Sequence, residues 1–149
     1  IKINLKEENI MNYKFYDYLT DECKIIRQKV FIEEQHFKNE FDDIDKTALH
    51  IIAYIDNEPV GTGRMFCSEN NGEYIIGRIA VLKNYRKYHI GSGIVKAFEE
   101  KAKELGAEQI SLSAQCRVKE FYEKLGFKAT GNTYYDEYCE HIRMIKKLR

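Results

Sequence analysis

The chain has no tryptophan and one proline, Pro59, and its 24 Lys plus Arg are matched by 24 Asp plus Glu. Zero net charge excludes the basic excess of a general nucleic-acid binder. No apolar run approaches the roughly twenty residues a membrane-spanning helix needs. The four cysteines (Cys23, Cys67, Cys116, Cys139) are far apart, with no C-x-x-C pair. They read as free thiols of a reducing compartment, not as a disulfide frame or a zinc site. Four histidines without local pairing give no metal-ligand spacing. The strings of a P-loop and of a dinucleotide fingerprint are absent. Ile1 to Glu8 alternates polar and apolar and lacks the apolar core of a signal peptide. These absences predict a cytoplasmic chain with no metal, no membrane and no nucleic-acid partner.

What is present suits one globular domain, residues 1–149, with 44% apolar and 32% charged residues. Ile1, Ile3 and Leu5 have strand spacing, and Thr20 to Gln35 has helical spacing with Cys23, Ile26, Val30 and Phe31 on one face. Thr20 or Asp21 can cap that helix. Asn39 to Lys46 is polar and acidic, a loop or short helix. His50 to Ile55 and Val60 to Phe66 read as a hairpin around Asp56-Asn57, and Glu73 to Val81 as a longer strand after the turn Asn70-Asn71-Gly72. Ile90 to Leu105 is a second amphipathic helix that Gly106 ends. A strand at Gln109 to Ala114, a short helix at Val118 to Lys124, and strands from Phe127 and over His141 to Leu148 complete an α/β pattern with a mixed sheet. Glu73 to Ala114 is predicted to be a right-handed crossover.

The most informative window runs from Arg78 to Gly93. It joins a strand to a helix through a loop holding Lys83, Arg86 and Lys87, with no acid between Leu82 and Val95. A helix N-terminus offers unpaired N–H groups and a positive dipole end, so an anion can sit there. Gly91 and Gly93 leave room for its approach. An ordinary strand-to-helix turn would use glycine too, and the spacing alone does not separate the two.

Arg86-Lys-Tyr-His-Ile-Gly91 resembles the acetyl-CoA loop of the GNAT superfamily of N-acetyltransferases, [QR]-x-x-G-x-[GA], with His89 in place of the first glycine. Phe121-Tyr-Glu-Lys-Leu-Gly-Phe127 is similar to that family's F-Y-x-k-x-G-[FY] signature. Arg27-x-x-Val30-Phe31-x-x-Glu34-Gln35 and Glu140-His141-Ile-Arg-Met144 resemble its ElaA-like and YjcF-like branch. The resemblance implies a mixed, mostly antiparallel sheet of about six to seven strands flanked by helices. It also implies acetyl-CoA as co-substrate and transfer to a primary amine of a small molecule or peptide, by direct attack in a ternary complex.

By that resemblance, Ile79, Ala80 and Val81 bind pantetheine through their backbone and face the thioester oxygen with an N–H. The pyrophosphate lies on the amides of Lys87, Tyr88, His89, Ile90, Gly91 and Ser92, beside Arg86, with Gly93 also in the cofactor loop, and Gln115 touches pantetheine. Tyr122 aligns with the tyrosine that protonates the departing thiolate. Read from the residues alone it is a core aromatic between Phe121 and Phe127, a reading that the resemblance reverses. The amine needs a base, for which Glu34, His50 and His141 are candidates, each also readable as a structural hydrogen-bonder. Cys116 reads as a structural thiol. The acidic run Glu33, Glu34, Glu40, Asp42, Asp43, Asp45 would draw a cationic amine if it rims the acceptor cleft, and is otherwise a solvated face. The alternative to an enzyme is a non-catalytic acyl-CoA sensor or interaction module, kept open by His89. Monomer and homodimer both fit.

Overall fold

A computed structural model describes residues 10–149, so the strand expected at Ile1 to Leu5 lies outside the described residues. The first described strand is β1, Met11–Tyr16, in which Met11, Tyr13 and Phe15 alternate with Asn12 and Lys14. Helix α1, Asp21–Arg27, starts where Thr20 Oγ1 accepts from the Cys23 amide at 3.1 Å, with Asp21 and Glu22 complementing its dipole. It does not run on as an α-helix to Gln35. Gln28–Glu34 is wound as a π-helix, in which the Gln35 amide reaches back five residues to the Val30 carbonyl at 3.1 Å. Asp43–Lys46 forms a single 3-10 turn capped by Asp42.

Strands β2 (Leu49–Ile55) and β3 (Glu58–Cys67) are joined by two residues, Asp56 and Asn57, with φ of 50° and 70°. Two successive left-handed residues make a type I′ turn, whose twist matches that of an antiparallel hairpin. Next come β4 (Glu73–Val81), a 3-10 segment Lys83–Tyr88, α2 (Ile90–Glu104) and β5 (Gln109–Gln115). A 3-10 turn Cys116–Val118 then leads into α3 (Lys119–Lys124), β6 (Lys128–Asp136) and β7 (Cys139–Lys147).

The seven strands lie in the order β1-β2-β3-β4-β5-β7-β6. β1/β2, β5/β7 and β6/β7 are antiparallel, and β4/β5 is parallel over Glu73–Ile75 against Gln109–Ser111. The fold is therefore α/β with a mixed, mostly antiparallel sheet flanked by helices.

The chain forms two compact units. One holds the described residues up to Arg64 together with Arg78–Ile94, and the other holds Met65–Gly77 with Val95–Arg149. In the first, Cys23, Ile26, Val30, Ile51, Ile52, Val60 and Ile90 are buried. The start of α2 packs tightly on β3 there, since a Cβ at Gly61 would lie 3.0 Å from Ile90 Cγ2. In the second, Met65, Ile76, Phe98, Ile110, Phe127 and Met144 form the core. Glu73 is buried with them and accepts from Ser111 Oγ, Gln109 Nε2 and Arg143 Nη2, which together outweigh burial and hold its carboxyl below the usual value.

Candidate active site

In the first unit, β4 ends at Val81 and the loop begins with the Leu82 amide bonded to the Val60 carbonyl at 2.9 Å. Two residues depart from ordinary backbone here. Arg78, within β4, has φ of 52°, in the left-handed region, and His89 has φ of 59°. The glycine that the family pattern has at position 89 thus answers a backbone requirement. Histidine is among the side chains that tolerate the left-handed region, at a cost of roughly 1–2 kcal/mol. The His89 carbonyl accepts from the Gly93 amide at 3.1 Å and from Ser92 Oγ at 3.0 Å. Helix geometry therefore leaves the amides of Ile90, Gly91 and Ser92 to an anion. Gly93 serves a different purpose: a Cβ there would overlap the Tyr13 hydroxyl, which reaches over from β1.

Arg86 and Glu34, named above for different roles, meet. Arg86 Nη1 and Nη2 donate to Glu34 Oε2 and Oε1 at 2.7 and 2.6 Å, and Arg86 Nε donates to the Val81 carbonyl at 3.0 Å. The bond to Glu34 raises the guanidinium pKa. A carboxylate held by both oxygens in this way is a poor base. His50 is 1% exposed, its Nε2 bonded to the Asp45 carbonyl at 2.9 Å, and burial lowers its pKa. In this position His50 makes the structural hydrogen bond that the sequence left open beside a base.

The acidic run is met by arginines. Arg27 from α1 donates to Glu40 at 2.8 Å and to Asp45 at 2.7 Å. Arg64 from β3 donates to Asp42 at 2.6 Å and Asp45 at 2.9 Å, and Arg78 pairs with Glu40 at 3.0 Å. Burial opposes ionisation of Asp45, but the bonds from Arg27, the Asp42 amide and Arg64 prevail and bring its pKa to about 2. Burial instead raises Glu40. The run is thus largely neutralised by arginines and does not form an open anionic rim. It borders a pocket of about 460 Å³ lined by Tyr18, Leu19, Gln28 and Phe41 as well as Asp42 and Asp45. Arg27, Arg64 and Arg78 were not singled out as a group from the sequence. The available signal was a cation at core-patterned positions, Arg27 on the α1 stripe and Arg64 inside β3, which calls for nearby acids.

In the second unit, the signature around Tyr122 is a helix stop. Gly126, at φ of 98°, lets the Phe127 amide bond the Tyr122 carbonyl at 3.1 Å and its own amide bond the Glu123 carbonyl at 3.0 Å. The same turn sets the Phe127 ring edge-on to Tyr122 at 5.8 Å, with Phe121 on Tyr122 at 5.0 Å. Burial pushes the Tyr122 phenol up to about 12. Gln115 and His141 are cross-strand partners on β5 and β7. Gln115 Oε1 accepts from Arg117 Nε at 2.9 Å, and His141 bonds the Cys139 carbonyl through Nδ1 at 2.9 Å while stacking on Tyr134. Cys116 is a half-buried free thiol. Among the described residues no group of three or more His, Cys, Asp or Glu could hold a metal, and no helix is long and apolar enough to cross a membrane.

The loop, the strand before it and the Tyr122 turn lie on a chain whose residues 16–148 match the acetyltransferase (GNAT) domain model, and the chain belongs to that family. Within the family it falls in the ElaA/YjcF-like branch. It is 33% identical to the N-acetyltransferase YjcF of Bacillus subtilis (strain 168) over 81% of this chain and 87% of that protein. It is 38% identical to YyaT of the same organism, over 83% and 85%. Its fold is like that of Escherichia coli ElaA, with a TM-score of 0.81, 23% identity, and 92% and 99% of the two chains covered.

Proposed function

We propose that this chain is an acetyl-CoA-dependent N-acetyltransferase that acts on a primary amine of a small molecule or peptide by direct attack in a ternary complex. The observation that carries this reading is the loop after β4. It presents three first-turn amides, Lys83 and Lys87, and no acid between Leu82 and Val95. Those residues suit the pyrophosphate of a coenzyme A thioester, and the backbone of Ile79, Ala80 and Val81 suits its pantetheine arm. The thioester supplies an activated acetyl group. The family match over residues 16–148 supports treating residues 1–149 as one functional domain.

Tyr122 is the proposed partner of the departing sulfur. A phenol pushed to about 12 keeps its proton wherever a thiolate exists. It is a weaker acid than a thiol of about 8.5, so its first contribution is a hydrogen bond that stabilises charge growing on sulfur. With Glu34 bound to Arg86 and His50 buried, His141 or solvent is left to take the amine proton. The acceptor needs no cationic character, because the acidic run is neutralised. The raised phenol also favours a second reading, acyl-CoA binding without turnover.

Initial rates with acetyl-CoA and a panel of amines separate the two. In the enzyme, Tyr122→Phe lowers kcat by roughly 10²–10⁴ while donor affinity holds. A wild type that binds acetyl-CoA yet releases no CoA with any amine supports the sensor.

A further inference from the structure

We infer that Glu34 is a positioning residue for the cofactor loop, and that Arg86 acts as a strut between the π-helical segment Gln28–Glu34 and β4 and not as a ligand of the pyrophosphate. The inference rests on the acyl-CoA reading of that loop. A guanidinium can grip a phosphate with two donors along either of two edges: Nη1 with Nη2, or Nε with Nη2. In Arg86 the first edge is taken by the two Glu34 oxygens and the Nε of the second by the Val81 carbonyl. Neither edge remains whole for a phosphate.

Both ends of the strut are held. Glu34 ends the π-helical segment, where the next turn is fastened by the Phe37 amide on the Phe31 carbonyl at 2.9 Å and by edge-on packing of the buried Phe31 and Phe37 rings. Val81 ends β4, and the next residue is pinned through its amide to Val60. Arg86 therefore ties the first turn of the loop to two anchored points, while its left-handed residue, His89, holds the conformation that aims the α2 amides. Those amides with Lys83 and Lys87 remain as the anion donors. The pair is exposed, so its worth to overall stability is small. Its worth is geometric: a loop preset for its ligand does not spend binding free energy on ordering.

The test is calorimetric titration of CoA into wild type, Glu34→Gln, Arg86→Gln, Arg86→Lys and the double Glu34→Gln/Arg86→Gln, with Tm measured on each. Each single substitution is expected to weaken CoA about tenfold and the double no further, because the residues act as one unit. Arg86→Lys is expected to behave like Arg86→Gln, since lysine keeps the charge and loses the fork. Exchanging the charges, Glu34→Arg with Arg86→Glu, is expected to bind CoA more tightly than Arg86→Glu alone. The strut is overturned if Glu34→Gln leaves CoA binding unchanged or tightens it, if the single losses add, or if Arg86→Lys keeps wild-type affinity. A wild type that binds no CoA removes the acyl-CoA reading instead. The strut then stands or falls on whether the Tm shifts of the same cycle fail to add.

Discussion

The first unit contains two arginine–carboxylate assemblies with the same chemistry and opposite surroundings. In one, the side chains of Arg27, Glu40, Asp45 and Arg64 are between 1% and 5% exposed and share one another's oxygens. In the other, Arg86 and Glu34 are 40% and 38% exposed and face each other as a two-point fork. Burial makes the first assembly costly to break, because removing one member strands a charge away from water. The second can be broken with little loss, because water replaces the missing partner. The buried cluster thus shapes the scaffold around Arg78 of β4, and the exposed pair can be assigned to ligand geometry with little stability at stake.

The sharpest contrast comes from Asp45→Ala. It leaves Arg27 and Arg64 short of a shared carboxylate, and chemical denaturation should show a loss of about 3–5 kcal/mol. Acid should probe the same cluster. Asp45 titrates near 2 when folded against an ordinary 3.8, so the unfolded chain takes up that proton first. The stability it contributes is complete above about pH 4 and is lost as pH falls toward 2. His50, lowered by burial, adds a decline that begins as pH drops below its ordinary 6.5, partly offset by Glu40, which burial raises. Melting curves against pH should show the His50 decline vanish in His50→Gln.

Smaller effects belong to the loop. Gly93→Ala should cost about 1–3 kcal/mol, since the Tyr13 ring must move aside. On a Tyr13→Ala background the same substitution should cost clearly less. His89→Gly should raise stability by up to about 1 kcal/mol by relieving the left-handed strain. Smallest of all, Glu34→Gln should change stability by less than about 1 kcal/mol. A larger loss there would erase the contrast with Asp45.

Much of this fold was legible because its punctuation is local. Asp56-Asn57, Gly106 and the run from Glu73 to Val81 each announce a turn, a helix end or a strand in a few residues, and the structure places elements there. The Tyr122 signature was legible as a string, and the structure adds its reason, a glycine stop that sets Phe127 edge-on to Tyr122. β1 was missed although Met11, Tyr13 and Phe15 alternate with Asn12 and Lys14: the run is short, Tyr16 breaks the period, and burial does not follow it. Nor was the π-helical winding before Glu34, which depends on where Phe31 and Phe37 pack. The partners of Glu34 and Asp45 lie 52 residues away for Arg86 and 18 and 19 for Arg27 and Arg64, distances that spacing rules do not reach.

The most direct measurement is calorimetric titration of acetyl-CoA into the protein, with CoA and ATP in parallel. The account predicts saturable micromolar binding of acetyl-CoA and CoA with ATP silent. Absence of binding at millimolar acetyl-CoA would contradict it, and with it the assignment of the loop from Lys83 to Gly93.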